Sequence, residues 1–390
     1  MGFESCLADP DVWLRPAVRA DGTNYYEYVL IYTDDVLALS VDPKAILMTI
    51  DRHFKLKPDS IGVPTTYLGA TISRFQLPDG QECWAMGSEQ YVKEAIRNVE
   101  NWLLERGVPQ LKTKAPSVLP SGYRPELDFT PELDDDDANY YMSVIGILVW
   151  AVELGRIDIA TETSMMSAFR AAPRHGHLDA VMHMFAYLKT HDRSRVVFDA
   201  SQLNFNDYIE SPDWKDFYGD VTEAVPPNAP EPRGKPVQST AFVDADHAGD
   251  LLTRRSRTGV LIYLNRSPIV WYSKKQIGIE TSAFGSEFIA LKTGVELIKG
   301  LRYKLRMMGV PLEGPTNVRV DNMSVVYNTS RPESTLKKKS NSIAFHFTRE
   351  NVANGTIRVA WEGTETNLAD CLTKTQAGPV RQRLIHGILW

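Results

Sequence analysis

The hydrophobic pattern changes period several times along the chain. Near the start, YYEYVLIYTDDVLALSV reads as two β-rich apolar runs flanking a polar pair, a hairpin with Asp34 and Asp35 at its turn. DPKAILMTIDRHF then has helical spacing, YLGATISRFQL reads as a strand, and PDGQ punctuates a turn into CWAMGS. A small mixed α and β unit is therefore expected over residues 1–88. Residues 89–199 keep helical periodicity, from YVKEAIRNVENWLLERG through ANYYMSVIGILVWAVELG to HLDAVMHMFAYLKTH, which predicts a helical bundle. Ser88 and the acidic run Asp134 to Asp137 stand where they would open two of its helices. Residues 200–237 lose the periodicity and gain Pro and acidic residues, as connectors do, with Trp214 and Tyr218 available to dock the segment on a neighbour.

Residues 238–390 read as strands STAFVDA, GVLIYLN and PIVWYSK, a long helix AFGSEFIALKTGVELIKGLRYKLRMMG, a strand NVRVD, further helices, a strand TIRVAW and a helix NLADCLTK. Short turns between the first three strands force an antiparallel meander, and the helical crossovers after it favour parallel pairing. A five-stranded mixed sheet with flanking helices is expected, within a multidomain chain of α/β and α+β character.

That last unit carries the candidate chemistry. Asp244 in AFVDADHAGD, Glu287 in GSEFIALKTGVEL, Asp321 in VRVDNMSVV and Asp370 in TNLADCLTK each lie at a strand end or on a helix face. A fold that gathers them makes an acidic cluster, in which like charges oppose joint ionisation unless cations are present. Two magnesium ions about 4 Å apart reverse that balance, one activating water and the other steadying the leaving oxygen of a phosphodiester. The reaction implied is metal-assisted phosphodiester hydrolysis. Asp246 and Asp250, beside the first acid, are read as turn residues or supporting groups.

Composition narrows the setting. At 390 residues the chain exceeds one typical domain of about 100–200 residues. Cys6, Cys83 and Cys371 have no paired spacing, which argues against a disulfide framework or a structural zinc site and fits a reducing compartment. The start has no basic region followed by an apolar run, and no stretch reaches the ~18 uncharged apolar residues of a membrane span. A soluble intracellular chain without a membrane partner is expected. The net charge of −6 hides an asymmetry: residues 240–390 carry 21 Lys and Arg against 13 Asp and Glu, and residues 1–239 carry 22 against 36. A basic unit around an acidic cluster suits a polyanion held over bound metals.

At this point the residues resemble a known family, the C-terminal part of the Pol polyprotein of copia-type long-terminal-repeat retrotransposons. VDADHAGD with TRRSRTGVLIYLN, WYSKKQ, GSEFIAL, VDNMSVV, KKKSNSIAFHFTRE and LADCLTK follow, in order, that family's ribonuclease H domain. The resemblance implies cutting of the RNA strand of an RNA–DNA hybrid with two Mg2+ ions, manganese being able to substitute, and Asp244, Glu287, Asp321 and Asp370 match the four metal-binding acids. It also implies a cytoplasmic virus-like particle or the nucleus as location. Residues 1 to about 195 resemble the later part of the reverse transcriptase: LIYTDDVLAL matches its Tyr-x-Asp-Asp box, with Thr33 in the variable position, YLGATI the strand that grips the primer end, and residues 89–199 a thumb-like region. Asp34 and Asp35 are then polymerase metal ligands by descent, facing a template–primer. A third palm Asp, on a strand expected before Met1, has no counterpart, so the chain is expected not to polymerise alone; a partner subunit or an upstream Pol segment would have to complete it. The loop EGTETN also lacks the His that some ribonucleases H use for product release.

The basic residues Arg254, Arg255, Arg257, Lys274, Lys275, Lys337, Lys338 and Lys339 read either as solvated loops or as phosphate contacts, which give affinity and salt dependence without sequence choice. His175, His177 and His183 have no accompanying Cys and read as capping or packing residues rather than zinc ligands. The rival to a working nuclease is a non-catalytic nucleic-acid-binding remnant of a decayed element, which metal-dependent cleavage would distinguish.

Overall fold

The computed structural model describes residues 1–205, 212–336 and 341–390, so Lys337, Lys338 and Lys339 lie outside the described residues. The first sheet is an antiparallel meander of β1 (Glu4–Cys6), β2 (Asp9–Val18), β3 (Asn24–Tyr32) and β4 (Asp35–Leu39). β3 and β4 are the expected hairpin; β1 and β2, whose Pro and charged residues weaken the strand pattern, were not foreseen. Val12, Leu14 and Tyr26 form a small core with Cys6 and Met307, which seats this sheet on the last unit. α1 (Pro43–His53) follows, opened by Asp42, which accepts from the Ala45 amide at 3.1 Å.

The second sheet runs β5 (Thr66–Tyr67), β6 (Ala70–Gln76), β7 (Glu82–Gly87) and β8 (Arg195–Phe198), all antiparallel. Its strands before residue 88 are not a closed unit, because β8 arrives from more than a hundred residues later to pair the edge of β7. Between them lie α2 (Glu89–Glu105), α3 (Asp135–Glu153), α4 (Ala160–Met166) and α5 (His175–Thr190), whose apolar faces share one core including Tyr141, Ile145, Leu148, Met184 and Phe185. Asp134 caps α3 by accepting from the Asp137 amide, with three further acids in the first turn. Ser88 holds the corresponding place before α2, but its hydroxyl makes no capping bond.

After the short α6 (Lys215–Tyr218), β9 (Ser239–Asp246), β10 (Arg257–Leu264), β11 (Ser267–Lys275), β12 (Thr316–Val320) and β13 (Ile357–Trp361) build the third sheet in the order β11-β10-β9-β12-β13. The first three pair antiparallel, and β12 pairs parallel with both β9 and β13, as the connection lengths require. α7 (Ala283–Met307), α8 (Met323–Ser330) and α9 (Ser342–Ala353) lie against this sheet, and α10 (Gly378–Ile385) closes the chain. NLADCLTK, expected as a helix, is a single 3-10 turn over Leu368–Leu372. Trp214 is buried against α9, with the Arg349 guanidinium 5.0 Å from its ring, so the connector does dock.

The helical region and the third sheet share a core: Ile157 and Ala160 pack with Phe242, Leu261, Tyr263, Leu372 and Leu384. Two buried ion pairs accompany it, Arg156 with Asp158 and Glu162 with Arg381, each at 2.7 Å. No helix among the described residues is long and apolar enough to cross a membrane.

Candidate metal centre

Strand register brings the first two acids together. Val243 of β9 pairs with Val320 of the parallel strand β12, so Asp244 and Asp321 follow side by side at the same sheet edge. Glu287 arrives from the second turn of α7, a helix opened by Ser282, whose hydroxyl accepts from the Gly285 amide at 3.2 Å. Burial of Phe288, Leu291 and Val295 holds that helix on the sheet. Asp244, Glu287 and Asp321 each present a carboxylate oxygen, all within 4.8 Å of one another.

Asp370 stands beside this trio rather than in it. Its carboxylate pairs with Lys374 at 2.6 Å and accepts from Gln376. The turn that carries it is fastened to β9: Asn367 Nδ2 donates to the Val243 carbonyl at 2.9 Å, and Thr373 Oγ1 donates to Asp244 Oδ2 at 2.6 Å. Gly259, opposite Asp244 on β10, makes this approach possible, since a Cβ there would stand 2.8 Å from the Ala369 carbonyl oxygen. Thr364 steadies Asp321 by donating to its Oδ2 at 2.9 Å. Sequence reading missed Asn367, Thr373, Lys374 and Gln376 as supporting groups, although all of them lie within six residues of Asp370.

The electrostatics are those of crowded, dry carboxylates. Burial, with Asp370 close by, pushes the Asp244 carboxyl up to about 7. Burial, with Asp244 and Asp321 close by, pushes Glu287 up to about 9. Glu287 Oε2 is buried without a hydrogen-bond partner, an expensive arrangement that a divalent cation would relieve. A hard, oxygen-only donor set of this kind fits magnesium or manganese.

Both folded-state pKa values exceed those of the unfolded chain, about 3.9 for Asp and 4.3 for Glu. The native state therefore binds more protons between about pH 4 and pH 9, and the stability these groups contribute is lost as pH rises through 7 toward 9. The melting temperature of metal-stripped protein should fall across that window, and magnesium should raise it more at pH 8.5 than at pH 5.5. Equal magnesium shifts at both pH values would refute the coupling.

The other candidates are dispersed. Asp34 lies on the exposed β3–β4 turn and Asp35 opens β4; Asp34 faces Lys57 at 3.4 Å and Asp35 accepts from the Leu68 amide at 3.2 Å. Neither joins a group of three potential ligands among the described residues. Thr33 has φ +54°, a conformation uncommon for a residue other than glycine. Arg254 and Lys274 are exposed, Lys275 pairs with Asp250 at 2.7 Å, and Arg255 and Arg257 line a cleft described below. His177 caps α5 through the Arg174 amide and reaches the Pro125 carbonyl, and His183 bonds the Ser117 carbonyl, so these two serve packing and capping.

No protein-family model matches the chain. Over 96% of its length it is 25% identical to the retrovirus-related Pol polyprotein from transposon RE1 of Arabidopsis thaliana. Over 94% it is 24% identical to the retrovirus-related Pol polyprotein from transposon TNT 1-94 of Nicotiana tabacum. The chain spans 22% and 24% of the lengths of those two relatives. Among solved structures, the N-terminal RNase H domain of Rv2228c from Mycobacterium tuberculosis aligns with 38% of this chain and 97% of its own, at 13% identity and a TM-score of 0.27. LC11-RNase H1, solved in complex with an RNA/DNA hybrid, aligns with 35% of this chain and 94% of its own, at 19% identity and a TM-score of 0.28.

Proposed function

From the similarity of nearly the whole chain to retrovirus-related Pol polyproteins of transposons, we propose that residues 238–390 are a ribonuclease H that cuts the RNA strand of RNA–DNA hybrids. The observation that carries this reading is the convergence of Asp244, Glu287 and Asp321, with Asp370 fastened beside them, at one edge of a mixed five-stranded sheet. Two divalent cations, when bound, supply an activated water and charge stabilisation for the departing 3′ oxygen. Asp244 and Asp321 present oxygens to the shared position, and Glu287 offers its unpartnered Oε2 from the helix side. Asp370 would join as Lys374 gives way. Products would carry a 5′ phosphate. Preference for a hybrid would rest on duplex shape and 2′-hydroxyl contacts, not on base sequence.

The test is cleavage of an end-labelled RNA–DNA hybrid by the purified chain with magnesium, beside single-stranded RNA. Hybrid-specific cutting that disappears on chelation supports the reading. Tight hybrid binding without cutting under any divalent metal would favour a non-catalytic remnant.

Residues 1–199 are read as the later part of a reverse transcriptase, with β3 and β4 as its Tyr-x-Asp-Asp hairpin. Since Asp34 and Asp35 are solvent-exposed and gather no third carboxylate among the described residues, this chain by itself is expected to incorporate no nucleotides on a primed template. Primer extension by the purified chain would reverse that conclusion.

A further inference from the structure

A cleft opens beside the carboxylates, between the helical region and the third sheet. Arg124, Met165 and Phe169 line one wall; Asp246, Arg255 and Arg257 belong to the other, with Thr373 and Lys374 toward the acids. Thr373 bonds Asp244 and Lys374 pairs with Asp370, so the cleft is continuous with the candidate metal centre.

Its charge is unevenly committed. Lys275 is spent on Asp250 at 2.7 Å, and the Glu126 carboxylate accepts from the Leu251 amide at 2.9 Å. Among the described residues, Arg124, Arg255 and Arg257 make no ion pair. Arg257 is largely buried, and burial brings its pKa down to about 10. Its Nη1 donates to Ser164 Oγ at 2.8 Å and to Ser273 Oγ at 3.4 Å, and among the described residues its other N–H groups meet no acceptor. Asp246 makes no ion pair among the described residues, but it stands within electrostatic reach of Arg124, Lys374 and Arg257. Three guanidinium groups against the Asp246 and Glu126 carboxylates leave an excess of positive charge, and planar forked donors suit a phosphate better than they suit a point charge.

We propose that this cleft holds a backbone phosphate of the nucleic-acid duplex, gripped by Arg124 from the helical region together with Arg255 and Arg257 from the sheet. The helical region thereby contributes directly to substrate binding by the nuclease. This rests on the ribonuclease H reading and assigns it a second contact point, built from two parts of the chain.

The experiment compares the full chain in an Asp244→Asn background, where the hybrid stays intact, with the same protein carrying Arg124→Ala or Arg255→Ala. Both side chains reach solvent, so melting temperatures should not change. Hybrid affinity should fall roughly tenfold for each, and the slope of log affinity against log salt should drop by about 1. A single neutral methylphosphonate, moved along each strand in turn, should find one position that weakens the parent protein and leaves Arg124→Ala unaffected. Unchanged affinity and slope in both variants, or methylphosphonate effects that are the same in parent and variant at every position, would overturn the site while wild-type cleavage of the hybrid left the nuclease reading standing. Failure of the wild-type chain to bind or cut a hybrid would remove both.

Discussion

Replacing Asp244 or Asp321 with asparagine is expected to abolish hybrid cleavage and, in metal-free solution, to raise the melting temperature. The two effects share one cause. At the sheet edge Asp244, Glu287 and Asp321 put carboxylate oxygens within 4.8 Å of one another, and ionising Asp244 and Glu287 there opposes folding because burial and the neighbouring carboxylates favour their neutral forms. Asparagine is nearly isosteric and uncharged, so it removes the repulsion while leaving β9 and β12 in register. On the proposed function it would also remove a ligand for the cations, and cleavage should fall by about 10³-fold or more, the scale on which loss of a group acting in the transition state registers. Glu287→Gln should behave alike and should flatten the pH dependence of metal-free stability most, since its carboxyl is the one pushed highest, to about 9. Parallel hybrid-cleavage rates and metal-free melts at pH 8 check both halves. A variant that lost activity and stability together would indicate a structural role for the residue.

The other large effect is expected far from the acids, at Glu162 and Arg381. Glu162 of α4 is 0% exposed and Arg381 of α10 is 4% exposed, and they meet at 2.7 Å in the core shared by the helical region and the third sheet. Breaking one partner strands the other without water or a countercharge, so Arg381→Met should destabilise the chain by about 3–5 kcal/mol. Neither side chain is fully satisfied even when paired, for Glu162 Oε2 and Arg381 Nε lack hydrogen-bond partners. Replacing both, as in Glu162→Leu with Arg381→Met, should therefore restore much of the loss, which chemical denaturation of the two singles and the double would reveal. The double variant should still cut a hybrid, since Asp244 and Glu287 belong to β9 and α7 and Asp321 directly follows β12. A double variant no more stable than the worse single would mean that packing, not charge, dominates there.

Local pattern decided the elements wherever period and punctuation agreed. The three strands of the meander, the long helix carrying Glu287 and the two later strands were legible because alternation and 3.6-residue spacing are properties of neighbouring residues. Asp134 was legible as a cap for the same reason. Asp244, Glu287 and Asp321 were legible as candidates through their positions at strand ends and on a helix face, and through a family resemblance that does not depend on knowing the fold. Ser88 shows the limit of such reading: it holds the right place for a cap, yet its hydroxyl is buried without a partner.

What the sequence determined by itself was thus the inventory: which segments are strands or helices, which acids end them, and the antiparallel then parallel pairing of the third sheet, since connection lengths constrain that choice. Only the tertiary structure decided what meets what. It turned the Asp370 carboxylate toward Lys374 and Gln376, left Asp34 and Asp35 apart from other acids, paired β7 with a strand from residue 195 onward, and set Arg124 across a cleft from Arg257. These outcomes depend on contacts between residues separated by tens to hundreds of positions. Their energies come from burial and charge in a particular packed geometry, which no local period encodes.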